Sequence, residues 1–235
     1  MRQIKLADFT IKKIIKGGFK RVIPELYGLK GIIENNPWHN KESVFDHTLT
    51  VFDNLEKVIR DSKEEIRCAL NKIVDKNSRK KLLYIAALIH DIGKGETITN
   101  LGSGVKGCPG HEKKGAQRAR NILKRFNLSQ GESKIVTDIV GNHGVMHDIV
   151  GLGYKGFKKS AGKDHNLTHA VVGLENKNFQ KEYKNLKKKF SNIYMELILL
   201  TFADTAVSYL KKTDPAEFRH RINFYKRELK NLIYF

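Results

Sequence analysis

Four helical faces in this sequence carry an ionisable residue where an apolar one belongs. In "SVFDHTLTVFDNLEKV", Val44, His47 and Val51 share a face at i, i+3 and i+7, and Leu55 extends it. In "LLYIAALIHD", Leu83, Ala86, Ala87 and His90 form a stripe, and in "IVTDIVGNHG" Val136, Ile139, Val140 and His143 form another. In "IYMELILLTFADTAVSYL", Asp204 takes its place in the series Ile193, Leu197, Leu200, Asp204, Val207. A lone inward histidine is ordinarily a satisfied core residue, but an unpaired buried carboxylate is costly. Four such residues converging from four helices have one common explanation, a bound cation that is itself the counter-charge. Asp91 follows His90 about 100° around the helix, so the two share a metal only if it sits over the edge between them. Imidazole with carboxylate oxygen suits Mn, Fe, Ni, Co or Zn rather than an all-oxygen Ca site. Cys68 and Cys108 lack zinc-finger spacing, and "HEKKG" at 111–115 is not H-E-x-x-H. An open, catalytic centre is expected rather than a closed, structural one.

The elements that must position these residues read as all-α. Helical periodicity predicts helices over roughly 4–16, 42–61, 63–75, 79–92, 111–126, 129–146, 178–190, 191–212 and 214–232, with no alternating strand or hairpin signal. Ser43 and Ser129 are expected N-caps, the latter with Glu132 completing a capping box. Pro215, after Asp214, fits the first turn of the last helix. Two glycine-rich stretches, 93–110 and 148–175, read as loops, and loops of that length are often functional. "GSGVKG" (102–107) and "GLGYKG" (151–156) match G-x-G-x-x-G, but neither follows a strand of a βαβ unit, so dinucleotide binding is not expected. His147-Asp148 repeats the His-Asp pair at a predicted helix end and reads as surface, and His165 and His169 read as solvated loop residues.

Length and composition fit one domain over 1–235: an N-terminal helical segment (1–40), a core (41–212) and a C-terminal helix (213–235). No apolar run is long enough to span a bilayer, and the charge-rich start lacks the apolar centre of a secretory signal. Two cysteines are too few for a disulfide framework, so a reducing cytoplasm is the expected compartment. The formal charge of +19 attracts phosphate-rich partners, nucleotides or RNA, although scattered lysines also make an ordinary solvated basic surface.

With these residues in view, the ordered pattern His47, His90-Asp91, Asp204 resembles the HD-domain superfamily of metal-dependent phosphohydrolases, and "ALIHDIGK" is close to its signature. "CPGHEKKGA" and "GNHG" add His111 and His143 in the order of the branch that binds two metals. The resemblance then implies a ligand set of His47, His90, Asp91, His111, His143 and Asp204, with Asp91 bridging two divalent ions, Mg included among the candidates. "NNPWHNKESVFDHTLTVFDNL" is similar to the HD domain attached to bacterial CCA-adding tRNA nucleotidyltransferases, here expected to stand alone. The implied fold is a helical bundle around the metals. The implied activity is hydrolysis of a phosphate mono- or diester, on a nucleotide or nucleic-acid end, by a metal-activated water. Lys94 is expected to hold a phosphate oxygen. His39 contacts substrate, acts as general acid, or packs against Trp38. Glu112 and Asp46 either support the ligands or are exposed acids, and Arg118 and Arg120 are expected at the surface. Two other readings stand beside this one: a di-iron oxygenase of the same fold, and a basic RNA-binding module with a structural metal.

Overall fold

The computed structural model describes residues 4–160 and 177–232. A 3-10 turn at Leu6–Asp8 precedes two short helices, α1 (Ile11–Ile15) and α2 (Pro24–Gly28), and a second 3-10 turn spans Leu29–Gly31. Strands β1 (Ile33–Asn36) and β2 (His39–Ser43) lead into α3 (Val44–Arg60), α4 (Glu64–Asn71), α5 (Arg79–Ile89) and the single turn α6 (Lys94–Thr97). A second hairpin, β3 (Thr99–Gly102) and β4 (Val105–Gly107), enters α7 (His111–Leu123) and the long α8 (Gln130–Ser160). Helices α9 (Lys177–Lys189), α10 (Tyr194–Val207), α11 (Leu210–Thr213) and α12 (Pro215–Asn231) follow. The fold is a helical bundle with one small antiparallel sheet in the order β2-β1-β4-β3.

The centre of the bundle is α5. Its residues Leu82 to Ile89 are buried on every side, so it is a core helix rather than an amphipathic one. Around it, α3 packs on α10, and α8 packs on α5, α7 and α10. The predicted caps are formed. Ser43 accepts from the Asp46 amide at 3.0 Å, and Ser129 and Glu132 bond each other's amides at 3.0 and 2.9 Å; Asp214, not expected as a cap, also accepts from the Glu217 amide at 2.9 Å. Each is worth about 1 kcal/mol. Glu132 does more than cap. Fully buried, its carboxylate also accepts from the amides of Lys76 (2.8 Å) and Asn77 (2.6 Å) and from the Asn77 side chain (2.9 Å). The chain just before α5 is thereby tied to the start of α8.

The structure departs from the sequence expectations in several places, among them the short helices α2 and α6, which were not expected, and α4, which stops at Asn71 short of the expected 63–75. The segment expected as one helix over 4–16 is a 3-10 turn and a separate α1, restarted by the Thr10 cap. The sheet was not expected, because its strands are three to five residues long and mostly polar, too short to alternate. Within it, Ser103 and Gly104 both have positive φ (49° and 76°), the signature of a type I′ hairpin turn, so "GSGVKG" is hairpin sequence. The stretch expected as a loop from 148 is helical to Ser160: Met146, Ile149, Val150 and Tyr154 carry the buried face of α8 past its glycines. Ser208 splits the helix expected over 191–212. His165 and His169 lie outside the described residues.

Candidate metal centre

Each candidate ligand stands near a helix end or on a face turned to the middle of the bundle. His47 lies in the first turn after the Ser43 cap of α3, His90 caps the end of α5, and Asp91 begins the turn beyond it. His111 is the first residue of α7, His143 sits midway along α8, and Asp204 is in the last turn of α10. The turn after α5 passes unusually close to α7. A Cβ on Gly93 would lie 2.1 Å from the His111 carbonyl oxygen and 2.5 Å from the Gly115 nitrogen. Only glycine permits this approach, and the approach sets His111 against Asp91.

All six residues meet. One oxygen of Asp91, Oδ1, is 3.3 Å from His111 Nε2 and 3.7 Å from His143 Nε2. The other, Oδ2, is 3.3 Å from His90 Nε2 and 3.9 Å from His47 Nε2. His47 Nε2 also lies 2.9 Å from Asp204 Oδ1. Among the described residues the donor atoms fall into three groups able to hold a metal ion: His47–His90–Asp91 and Asp91–His111–His143, with Asp91 common to both, and an adjoining His39–Glu42–His47.

The ring orientations fit a cation. His90, His111 and His143 each point Nδ1 at the backbone carbonyl three residues earlier, at 2.8, 2.9 and 2.8 Å. A carbonyl only accepts, so each Nδ1 carries the proton and each Nε2 turns a lone pair to the centre. His90 Nε2 is buried with no hydrogen-bond partner among the described residues. The Nε2 atoms of His111 and His143 face each other at 3.3 Å, where two lone pairs repel unless a proton or a metal lies between them. Unpaired nitrogen lone pairs grouped around carboxylate oxygens are a donor set for a transition metal.

The electrostatics of the metal-free protein point the same way. Burial opposes ionisation of Asp91, but its neighbours, His90 and Lys94 first and then His111 and His143 beside its oxygens, hold its carboxyl well below the usual range. Burial likewise opposes ionisation of Asp204, and bonds from His147 and His47 reverse that. Burial would favour a neutral His47, yet Asp204 and Glu42 outweigh it and push the ring up to about 10. His111 is raised by Asp91 against its burial, whereas burial wins at His143 and lowers it.

A second layer surrounds this centre, and part of it is new. Lys94 is buried, with its ammonium 2.6 Å from Glu34 and 2.9 Å from Asp91. Asp91 and Glu34 raise its pKa even though burial opposes the charge. His39 stands edge-on to His47, within 3.4 Å of both Glu34 and Glu42. The ring against Trp38 is that of His147, whose Nε2 is 2.9 Å from Asp204 Oδ2. Placing His147 at the surface was therefore wrong: it sits one turn beyond His143 on a helix read as ending too early. Glu34 and Glu42 were missed because they lie on strands that gave no signal. Asp46 serves the Ser43 cap, Arg118 pairs with Glu96, and Arg120 is exposed. Glu112 comes within 3.5 Å of His111 Nδ1. A cavity of about 340 Å³ opens onto the centre, lined by Asp91, Lys94, His111, His143, Asp204 and Trp38 among others. A larger one, about 450 Å³, lies beside the Arg79–Glu196 ion pair but gathers no histidines, so donor chemistry and not size picks out the site.

The HD domain family matches residues 44–174, more than half of the sequence and a span holding every candidate ligand except Asp204. This chain belongs to the HD domain family. Among proteins similar to this HD-domain chain are bifunctional uridylyltransferase/uridylyl-removing enzymes. That of Cereibacter sphaeroides is 29% identical over 127 residues, 54% of this chain and 12% of that protein. Those of Ruegeria pomeroyi (27% over 133 residues) and Stutzerimonas stutzeri (30% over 126 residues) match 57% and 54% of this chain and 13% of each relative. The HD-domain chain thus spans only about an eighth of the length of these relatives. Among its described residues, no single helix is long and apolar enough to cross a membrane.

Proposed function

We propose that this HD-domain protein hydrolyses a phosphate ester of a nucleotide or nucleic-acid end, with two divalent ions held by His47, His90, Asp91, His111, His143 and Asp204, and with residues 1–235 working as one unit. The observation that carries the reading is Asp91, whose two oxygens each face a different pair of histidines. Bound there, two ions would supply a water activated near neutral pH and a Lewis-acid hold on phosphoryl oxygens. The chain's own residues do the rest. The Nδ1–H bonds of His90, His111 and His143 keep the rings turned inward. Lys94 donates to Glu34 at 2.6 Å and lies 2.9 Å from Asp91 Oδ2 and 3.5 Å from His39 Nε2, so its charge borders the cavity in which a phosphoryl oxygen would lie. Trp38, His39 and His147 flank the entry, where the ester's organic portion would lie. The net charge of +19 supports an anionic substrate. So do the names of the relatives, which include removal of a uridylyl group. The similarity of "NNPWHNKESVFDHTLTVFDNL" to the HD domain of tRNA nucleotidyltransferases favours an RNA end or nucleotide within that class.

Metal analysis of the purified protein tests this, together with phosphate release from nucleotides, cyclic nucleotides and short RNA ends with Mn, Mg, Ni, Co and Fe. Metal-dependent release that Asp91→Ala abolishes is expected. Absence of bound metal, or full activity in Asp91→Ala with metal content intact, overturns the reading. Oxygen uptake with iron and no phosphate release selects the oxygenase instead. Salt-sensitive RNA binding that survives mutation of the site, without turnover, selects the binding module.

A further inference from the structure

We infer that Glu42 is the positioning residue for His47, and that it sets the affinity of one half of the two-ion centre without touching the other. The inference rests on the two-ion reading above. Three of the four histidines are locked by the backbone three residues before them: His90, His111 and His143 donate from Nδ1 to the carbonyls of Ala87, Cys108 and Val140. His47 has no such lock. The equivalent carbonyl, that of Val44, is engaged by the Thr48 hydroxyl at 2.7 Å. Nδ1 of His47 faces Glu42 Oε2 instead, at 3.4 Å. This is an ion-pair contact rather than a formed hydrogen bond, since Nδ1 has no hydrogen-bond partner among the described residues.

The orienting group for His47 thus comes from the sheet. Glu42 lies on β2, one residue before the cap of α3, with its side chain 29% exposed and its carboxylate also 3.4 Å from His39 Nδ1. A carboxylate facing the distal nitrogen of a ligating imidazole fixes the ring and strengthens it as a ligand, and its loss typically costs 10–100-fold in metal affinity. His47 belongs to the His47–His90–Asp91 group. His111 and His143 lie on the far side of Asp91, with their own backbone locks. The effect of Glu42 is therefore confined to one ion.

Titration with Co(II) alone, followed by visible absorption and by equilibrium dialysis, tests this on the full chain. Wild type is expected to bind two ions. In Glu42→Gln, one Kd is expected to rise about 10–100-fold while the other stays within about twofold. Glu42→Asp, which keeps the charge, recovers part of the loss. Circular dichroism and the unaffected site report that the variant is folded. Two unchanged Kd values in Glu42→Gln overturn the inference. So does parallel weakening of both sites, which is a merely structural role, and so does a third ion in wild type that the variant lacks, which makes Glu42 a ligand. Wild type that binds no Co(II) brings down the two-ion reading itself and this inference with it, before any variant is made.

Discussion

Replacing Gly93 with alanine adds one methyl group at the tightest point of the site. Its Cβ would stand 2.1 Å from the His111 carbonyl oxygen and 2.5 Å from the Gly115 nitrogen. Both are backbone atoms, and neither can swing aside as a flexible side chain would. To reach ordinary contact, the first turn of α7 must retreat by about 1 Å. Forcing extra carbon into packed structure costs about 1–3 kcal/mol, and a clash with backbone belongs at the upper end. The stiffer unfolded chain returns only about 0.4–1 kcal/mol, because the φ of Gly93, −72°, suits alanine. A net loss of about 2–3 kcal/mol is expected, on the order of a hundredfold in the folding equilibrium. Urea unfolding of the metal-stripped protein measures it. Gly95→Ala is the control. Its Cβ meets only Leu29 Cδ2 at 3.5 Å, so stability should hold or rise slightly. Since His111 moves with α7, Gly93→Ala should also weaken the ion shared by His111 and His143. A Gly93→Ala variant as stable as Gly95→Ala, with both ions bound as in wild type, would refute the close-approach reasoning.

Asp91→Asn removes the carboxylate common to both donor groups, so both ions should weaken together in a metal titration; loss of only one would show that Asp91 does not bridge. Lys94→Met leaves Glu34 and Asp91 buried without their cation, a loss of about 3–5 kcal/mol in the metal-free protein that added Mn should partly restore; an unchanged urea midpoint without metal would count against it. The pH dependence of the metal-free protein has a definite sign. The His47 pKa is raised from 6.5 to about 10 on folding, so its contribution is fully present below about 6.5 and is lost as pH rises through about 10. Stability should therefore fall from pH 7 to 10, with a shallower fall in His47→Gln. Metal affinity should rise across the same window, because the ion replaces that proton; a slope of opposite sign in either measurement refutes the assignment.

What was legible in the sequence follows from how each feature is encoded. His47, His143 and Asp204 interrupt regular apolar stripes, and period 3.6 places them inward without further information. His90-Asp91 ends an apolar run so complete that α5 had to be a core helix. The caps at Ser43 and Ser129 were readable because capping is a local event. Glu34 and Glu42 were invisible for the opposite reason. They sit on strands that exist only through pairing with each other and with β4, and a four-residue polar strand has no period to detect. His147 was lost when glycines were taken to end α8, although the buried face continues through Met146, Val150 and Tyr154. Lys94 could be placed near the site from its motif, but its Glu34 partner, 60 residues away in the chain, could not.

The buried carboxylate of Glu132 has a consequence that reaches across the protein. By holding Lys76 and Asn77, it gives α5 and α8 a common origin. From there, about 11–13 residues of each helix, roughly 17–20 Å of rise, lead to His90 and His143. The two rings arrive 5.3 Å apart. The pair works as a ruler with two arms of similar length. Side chains along either arm can change so long as they pack, but its residue count cannot. Deleting one residue between Ile135 and His143 would draw the imidazole back by about 1.5 Å and turn it by about 100°, away from Asp91. The site tolerates variation in composition along these helices and none in length.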